Sequence, residues 1–103
     1  MKYRYHPDAL TEYADAALYY EERVLGLGAD FTAEVEKAIW RILEAPAQWR
    51  CVEEDVRRYL LRRFPYGILF TVEERCVLIV AVMHLSREPG YWRHRISPQP
   101  DGP

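Results

Sequence analysis

The stretch VLIVAVMHLSREPGYW, residues 77–92, decides the fold. Residues 77–83 are apolar without interruption and rich in Val and Ile, the composition of a strand buried on both faces. The run then gives way to His84, Ser86, Arg87, Glu88, Pro89, Gly90, Tyr91 and Trp92, which are polar, turn-forming or aromatic. One strand therefore runs through the core and delivers a His-x-x-Arg group to a surface at its end.

Working upstream, residues 73–75 read as a hairpin turn, and residues 66–72 as a strand in which Ile68, Phe70 and Val72 alternate against Leu69 and Thr71. Phe64-Pro65 is a turn. Before it, residues 56–63 (VRRYLLRR) place Val56, Arg58, Leu60 and Arg62 on one side and Arg57, Tyr59, Leu61 and Arg63 on the other. Three consecutive strands with short links make an antiparallel meander. Residues 47–55 read as a connector. Before that, Phe31, Val35, Ala38, Ile39, Ile42 and Leu43 form a helical stripe over residues 30–44, with Asp30 as N-cap and Ala45-Pro46 as the stop. Leu10, Tyr13, Ala14, Ala17, Tyr20 and Val24 form another over residues 8–25, ended by Gly26-Leu27-Gly28. Residues 3–6 read as a short edge strand closed by Pro7.

The order is β-α-α-β-β-β, an α+β fold in which an αα-hairpin packs on one face of an antiparallel sheet of about four strands. Residues 1–95 form one domain, and residues 96–103, with three prolines and a glycine, form a disordered tail.

Composition narrows the function. The chain has 103 residues, half of them apolar, and no run long enough to span a membrane. Residues 1–10 carry charge where the apolar part of a secretory signal would lie. Cys51 and Cys76 fit no metal spacing and read as reduced thiols of a cytoplasmic protein. Net charge is −2 but unevenly spread. Residues 50–96 hold nine arginines against six acidic residues and no lysine, whereas the acidic excess lies in the first half. Arginine binds phosphate and carboxylate through a planar fork, so an anionic partner fits one face.

These elements carry a resemblance. Tyr3-x-Tyr5-His6-Pro7-x-Ala9 with Glu12 and Tyr19-Tyr20, Leu27-Gly28 before Phe31-x-x-Glu34-Val35, and residues 42–46 come first. Val56-Arg57-Arg58, then Arg63-Phe64-Pro65-Tyr66-Gly67-Ile68, follow. The last is Val82-x-His84-x-x-Arg87-x-Pro89-Gly90-Tyr91-Trp92-x-x-Arg95. In order and spacing the chain resembles the RelE/ParE superfamily, the toxins of type II toxin–antitoxin modules, also called plasmid stabilisation proteins. The resemblance implies a cognate antitoxin that wraps the toxin with a helix or extended segment. It also implies one of two targets: RelE-like members cleave mRNA on the ribosome, and ParE-like members inhibit DNA gyrase. A non-toxic, degenerate member is a third reading.

Metal-independent RNA cleavage needs a base for the 2′-hydroxyl, a cation on the scissile phosphate and an acid for the leaving oxygen. His84, Arg87 and Arg63 are the candidate catalytic residues. Arg57, Arg58, Arg62, Glu88, Tyr91 and Trp92 are candidates for binding substrate or partner, the two aromatics by stacking. No metal or other cofactor is expected. The convergence of His84 with several arginines places ribosome-dependent mRNA cleavage slightly ahead of gyrase inhibition. The missing lysine is a departure from the RelE pattern.

Overall fold

The computed structural model describes residues 1–96. The expected tail falls almost wholly outside them. Its first residue, Ile96, is half-buried against the sheet. The chain runs β1 (Lys2–Tyr5), α1 (Pro7–Arg23), α2 (Leu27–Glu44), a 3-10 turn (Pro46–Gln48), β2 (Cys51–Glu53), β3 (Val56–Leu60), β4 (Tyr66–Glu73), β5 (Cys76–His84) and a second 3-10 turn (Arg93–Arg95). The strands form one five-stranded sheet in the order β1-β5-β4-β3-β2.

The α+β class and the helix hairpin stand as the sequence predicts, and β3 to β5 are antiparallel as expected. Two details of the sheet differ. β1 lies parallel to β5, from Lys2 opposite Cys76 to Tyr5 opposite Ile79, so the sheet is mixed. The expected connector contains a fifth strand, β2, whose hairpin to β3 turns through Glu54 at φ 47° without the Asn-Gly pair that announces such turns. β3 also stops at Leu60, leaving Arg62 and Arg63 beyond its end.

His6 caps α1 by accepting the Asp8 N–H on Nδ1 at 3.0 Å, and Pro7 occupies the first helical position, where no N–H is needed. α2 begins at Leu27, earlier than Asp30, because its first amides find a cap from another helix. The Glu21 carboxylate accepts from Gly26 N–H at 2.9 and 3.1 Å and from Gly28 N–H at 3.0 Å. Gly26 turns the chain at φ 87°, a left-handed conformation that glycine adopts without strain. Asp30 sits inside the first turn and pairs with Arg63 at 3.3 Å.

Helix and sheet enclose the main core, with Phe31, Val35, Ile39 and Ile42 of α2 against Ile68, Phe70, Val77, Ile79 and Val82 of the sheet. The opposite face carries a second cluster of Val56, Leu69, Leu78, Val80, Ala81 and Trp92. This is why β5 reads as an unbroken apolar run: residues 77–82 are buried whichever face they point to.

Gly28 marks a close approach of the helices: a Cβ there would lie 2.6 Å from the Ala17 carbonyl oxygen and 2.9 Å from Glu21 Cβ. Gly28→Ala is therefore expected to lower stability by about 1–3 kcal/mol through forced separation of the helices, read as a lower thermal unfolding midpoint by circular dichroism. An unchanged midpoint would show that the pair yields without strain.

Candidate functional site

A β-bulge decides which way the end of β5 points. Leu69 lies opposite Ala81 and Phe70 opposite Ile79, so Val80 is an extra residue on β5. Val80 and Ala81 both join the second cluster, and the alternation resumes reversed. Val82 returns to the helix side, Met83 packs on the second face, and His84 faces α1. Unbroken alternation from Val77 would have sent His84 to the other face.

His84 lines a cavity of about 320 Å3 with Glu12, Asp15, Ala16 and Tyr19 of α1, Tyr66, Val82, Arg87 and Tyr91. Its ring meets Tyr66 edge-on at 5.0 Å. Its Nδ1 accepts the Ser86 backbone N–H at 3.0 Å and lies 2.7 Å from the Ser86 hydroxyl. The Arg87 guanidinium lies 4.0 Å from the centre of the Tyr91 ring, a cation–π contact. Arg87 also borders a second cavity, about 420 Å3, floored by Leu60, Leu69, Met83, Leu85 and Trp92.

The residues after β5 are strapped across the sheet by three anchors. Trp92, 4 % exposed, packs into the second cluster. Arg93 holds Glu53 of β2 with Nε 2.8 Å from both carboxylate oxygens, and keeps that carboxyl below its usual pKa. The third anchor is Glu12. Its carboxylate accepts from Tyr91 Oη at 2.6 Å, from Arg95 Nη1 and Nη2 at 2.8 and 3.0 Å, and from the Val82 backbone N–H at 3.0 Å. Arg95 also donates to the Val80 carbonyl at 3.1 Å, and its Nε lies 3.7 Å from Asp8. β1 has ended at Tyr5, so these side chains satisfy backbone groups of β5 around the bulge that no β1 residue reaches. Burial first, and then the bond to Glu12, raise the Tyr91 pKa, so its phenol stays protonated and donating.

The predicted site residues are thus divided. His84, Arg87 and Tyr91 share one cavity. Arg63 is elsewhere, paired with Asp30 and over the Phe64 ring. Arg57 ties down the connector, its Nη1 donating to the carbonyls of Ala47 at 3.1 Å and Trp49 at 2.7 Å. Arg58 borders the larger cavity with Arg87, and Arg62 shares a further one with Arg58. Glu88 is exposed in the turn. Trp92 is spent on packing and offers no face for stacking.

Glu12, Asp15, Tyr19, Tyr66 and Arg95 belong to the site although the residue-by-residue chemistry named none of them. Glu12 and Arg95 stand out in the sequence as parts of the resemblance alone, since a carboxylate off a helix's apolar stripe gives no other signal. Among the described residues no group of three or more His, Cys, Asp or Glu side chains could hold a metal ion, and no helix is long and apolar enough to cross a membrane.

The side chain of Arg95 is 7 % exposed and that of Glu12 20 %. Removing one partner of such a pair strands the other, so Glu12→Ala is expected to lower stability by about 3–5 kcal/mol. The double variant Glu12→Ala, Arg95→Ala should lose less than the two singles summed. Urea denaturation of the four proteins measures this, and strict additivity would refute the coupling.

No curated protein matches the chain. Among solved structures, a chain of the chromosomal ParDE TA system from P. aeruginosa superposes with a TM-score of 0.71 at 14 % identity, over 84 % of this chain and 97 % of that one. At that identity the likeness is one of fold. The family described as ParE toxin of type II toxin-antitoxin system, parDE, matches residues 3–89, all the elements from β1 to β5. The chain belongs to the ParE toxin family of type II toxin–antitoxin systems.

Proposed function

We propose that this chain is the toxin of its pair, neutralised by a cognate antitoxin, and that it arrests growth by binding DNA gyrase without cleaving RNA. The hydrogen bonding of His84 carries this reading. A backbone N–H always donates, so the bond from Ser86 fixes Nδ1 as acceptor. The neutral ring then carries its proton on Nε2. Its one available lone pair is taken, and the other nitrogen can only donate. To act as an acid the ring would have to become imidazolium and give up the Ser86 bond. Arg63, the other expected member of a catalytic set, is held by Asp30 away from this cavity. Of the expected catalytic set only His84, with its Nδ1 lone pair engaged, and Arg87 share the cavity, whereas a binding surface needs no such set.

One observation favours the second reading, ribosome-dependent mRNA cleavage. His84, Arg87 and Tyr91 do share a cavity with the carboxylates of Glu12 and Asp15, which leaves an acidic and a basic group within one concave site.

Two assays separate the readings: inhibition of supercoiling by purified gyrase, and primer extension on mRNA from cells expressing the chain without its antitoxin. The binding reading expects supercoiling to fall, no new RNA ends, and inhibition largely retained by His84→Ala. The cleavage reading expects new ends that diminish by about 10²–10⁴-fold in His84→Ala, the loss typical for a general acid or base. Normal growth with neither effect would mean that the chain is no longer toxic.

A further inference from the structure

Four arginines line one cavity of about 360 Å3 at the end of β3. They are Arg41 of α2, Arg50 ahead of β2, Arg58 of β3 and Arg62 just past it, beside Trp49, Tyr59 and Leu60. No acidic side chain lines it. Among the described residues none of the four pairs with a carboxylate, whereas Arg4, Arg63, Arg93 and Arg95 all do. Guanidinium groups gathered without a counter-charge repel one another, and an anion that bridges them removes that repulsion.

The wall that carries them is built, not loose. The stem of Arg58 lies over Gly67, where a Cβ would stand 3.3 Å from its Cγ and 3.4 Å from its Cδ. The Arg41 guanidinium reaches the hydroxyl of Tyr59 at 3.5 Å, and the buried Tyr59 ring meets Trp49 edge-on at 4.7 Å. Arg57 ties down the connector through the carbonyls of Ala47 and Trp49, and the Arg50 carbonyl accepts the Arg58 N–H at 3.0 Å. Trp49 leaves its Nε1 buried without a hydrogen-bond partner among the described residues. Charge on a sheet edge commonly guards against stray strand pairing. That role accounts for exposed Arg62, but it asks nothing of Arg41, which is half-buried on a helix.

Charge and shape narrow the ligand. A single phosphate carries about two negative charges, too few for four forks, whereas two or three linked phosphates carry about three or four and present oxygens along their length. A long polyanion fits less well. It calls for a track of positive charge, and the chain as a whole is at −2. Tyr59 also has no free face on which successive bases would stack.

We propose that this cavity binds the polyphosphate group of a small molecule, its linked phosphates bridging Arg41, Arg50, Arg58 and Arg62. Two sources carry that chemistry, a short inorganic polyphosphate and the triphosphate of a nucleotide. For the nucleotide, Leu60 and Trp49 supply apolar wall beside the charges. The inference does not depend on which target the chain arrests.

The test is isothermal titration calorimetry on the full chain at matched ionic strength, without divalent cations, which would compete for the phosphates. The probes are sodium triphosphate, ATP, monophosphate, a short oligoglutamate and a short oligouridylate. Triphosphate should bind at least tenfold more tightly than monophosphate and should weaken as salt rises. ATP tighter than triphosphate identifies a nucleotide site, and equal affinity identifies a site for the phosphates alone. Arg58→Gln, Arg62→Gln should weaken triphosphate binding by about tenfold or more, since each charge-assisted contact is worth at least that factor. Arg50→Gln, in an exposed residue outside the strands, should weaken it too and guards against misfolding of the double variant. Arg75→Gln, in the exposed turn between β4 and β5, should leave it unchanged. No binding, equal affinity for monophosphate, indifference to the cavity substitutions, an equal loss in Arg75→Gln, or tighter binding of oligoglutamate or oligouridylate would each overturn the proposal.

Discussion

The Glu12 carboxylate is the point on which three parts of the molecule meet. It stands on α1, accepts a backbone amide of β5, and holds Tyr91 and Arg95 of the closing segment. A carboxylate accepting several donors, one of them a nearly buried guanidinium, is a strong contact and an exacting one, because loss of either member leaves a charge without solvent. The arrangement also resolves a problem created by the fold. β1 is short, and past its end β5 would present unpaired backbone to the protein interior. Glu12 and Arg95 take up those groups, and so the bulge at Val80 is accommodated.

The bulge in turn sorts the surface. By reversing the alternation it places His84 toward α1 and leaves Met83 on the second face, so the chain has two neighbouring cavities divided by Arg87. One is aromatic and acidic, the other apolar and bordered by arginine. The Trp92 anchor closes part of the second face, which helix-free sheets otherwise leave to solvent. What remains open there is a groove bordered by arginine and the end of β3 that β2 does not cover.

The arginines show how far composition carries. Nine arginines and no lysine in residues 50–96 signal forks for anions. Strand alternation correctly separates Arg57 from Arg58. β3 ends before Arg62 and Arg63, yet Arg62 still lines a cavity with Arg58 and Arg63 still reaches the helix side. Arg57 meets carbonyls of its own connector and Arg63 meets a helix 33 positions earlier in the chain. Neither could be inferred without knowing how the hairpin lies against the sheet.

The sequence by itself determined the α+β class, the helix hairpin, the three principal strands and the family, because each rests on local periodicity, turn chemistry or a motif read along the chain. It did not disclose the parallel β1, the brief β2 or the bulge, all of which are matters of pairing between distant segments that leave no periodic trace. Residues 77–92 were legible as a buried strand ending in a His-x-x-Arg surface. Tertiary structure alone decided how that surface is held: a carboxylate 83 positions away from Arg95 keeps it in place, and the bulge opposite β4 turns His84 toward α1. Contacts of that kind depend on the register and closure of the whole fold, and no window of sequence contains both partners and the geometry between them.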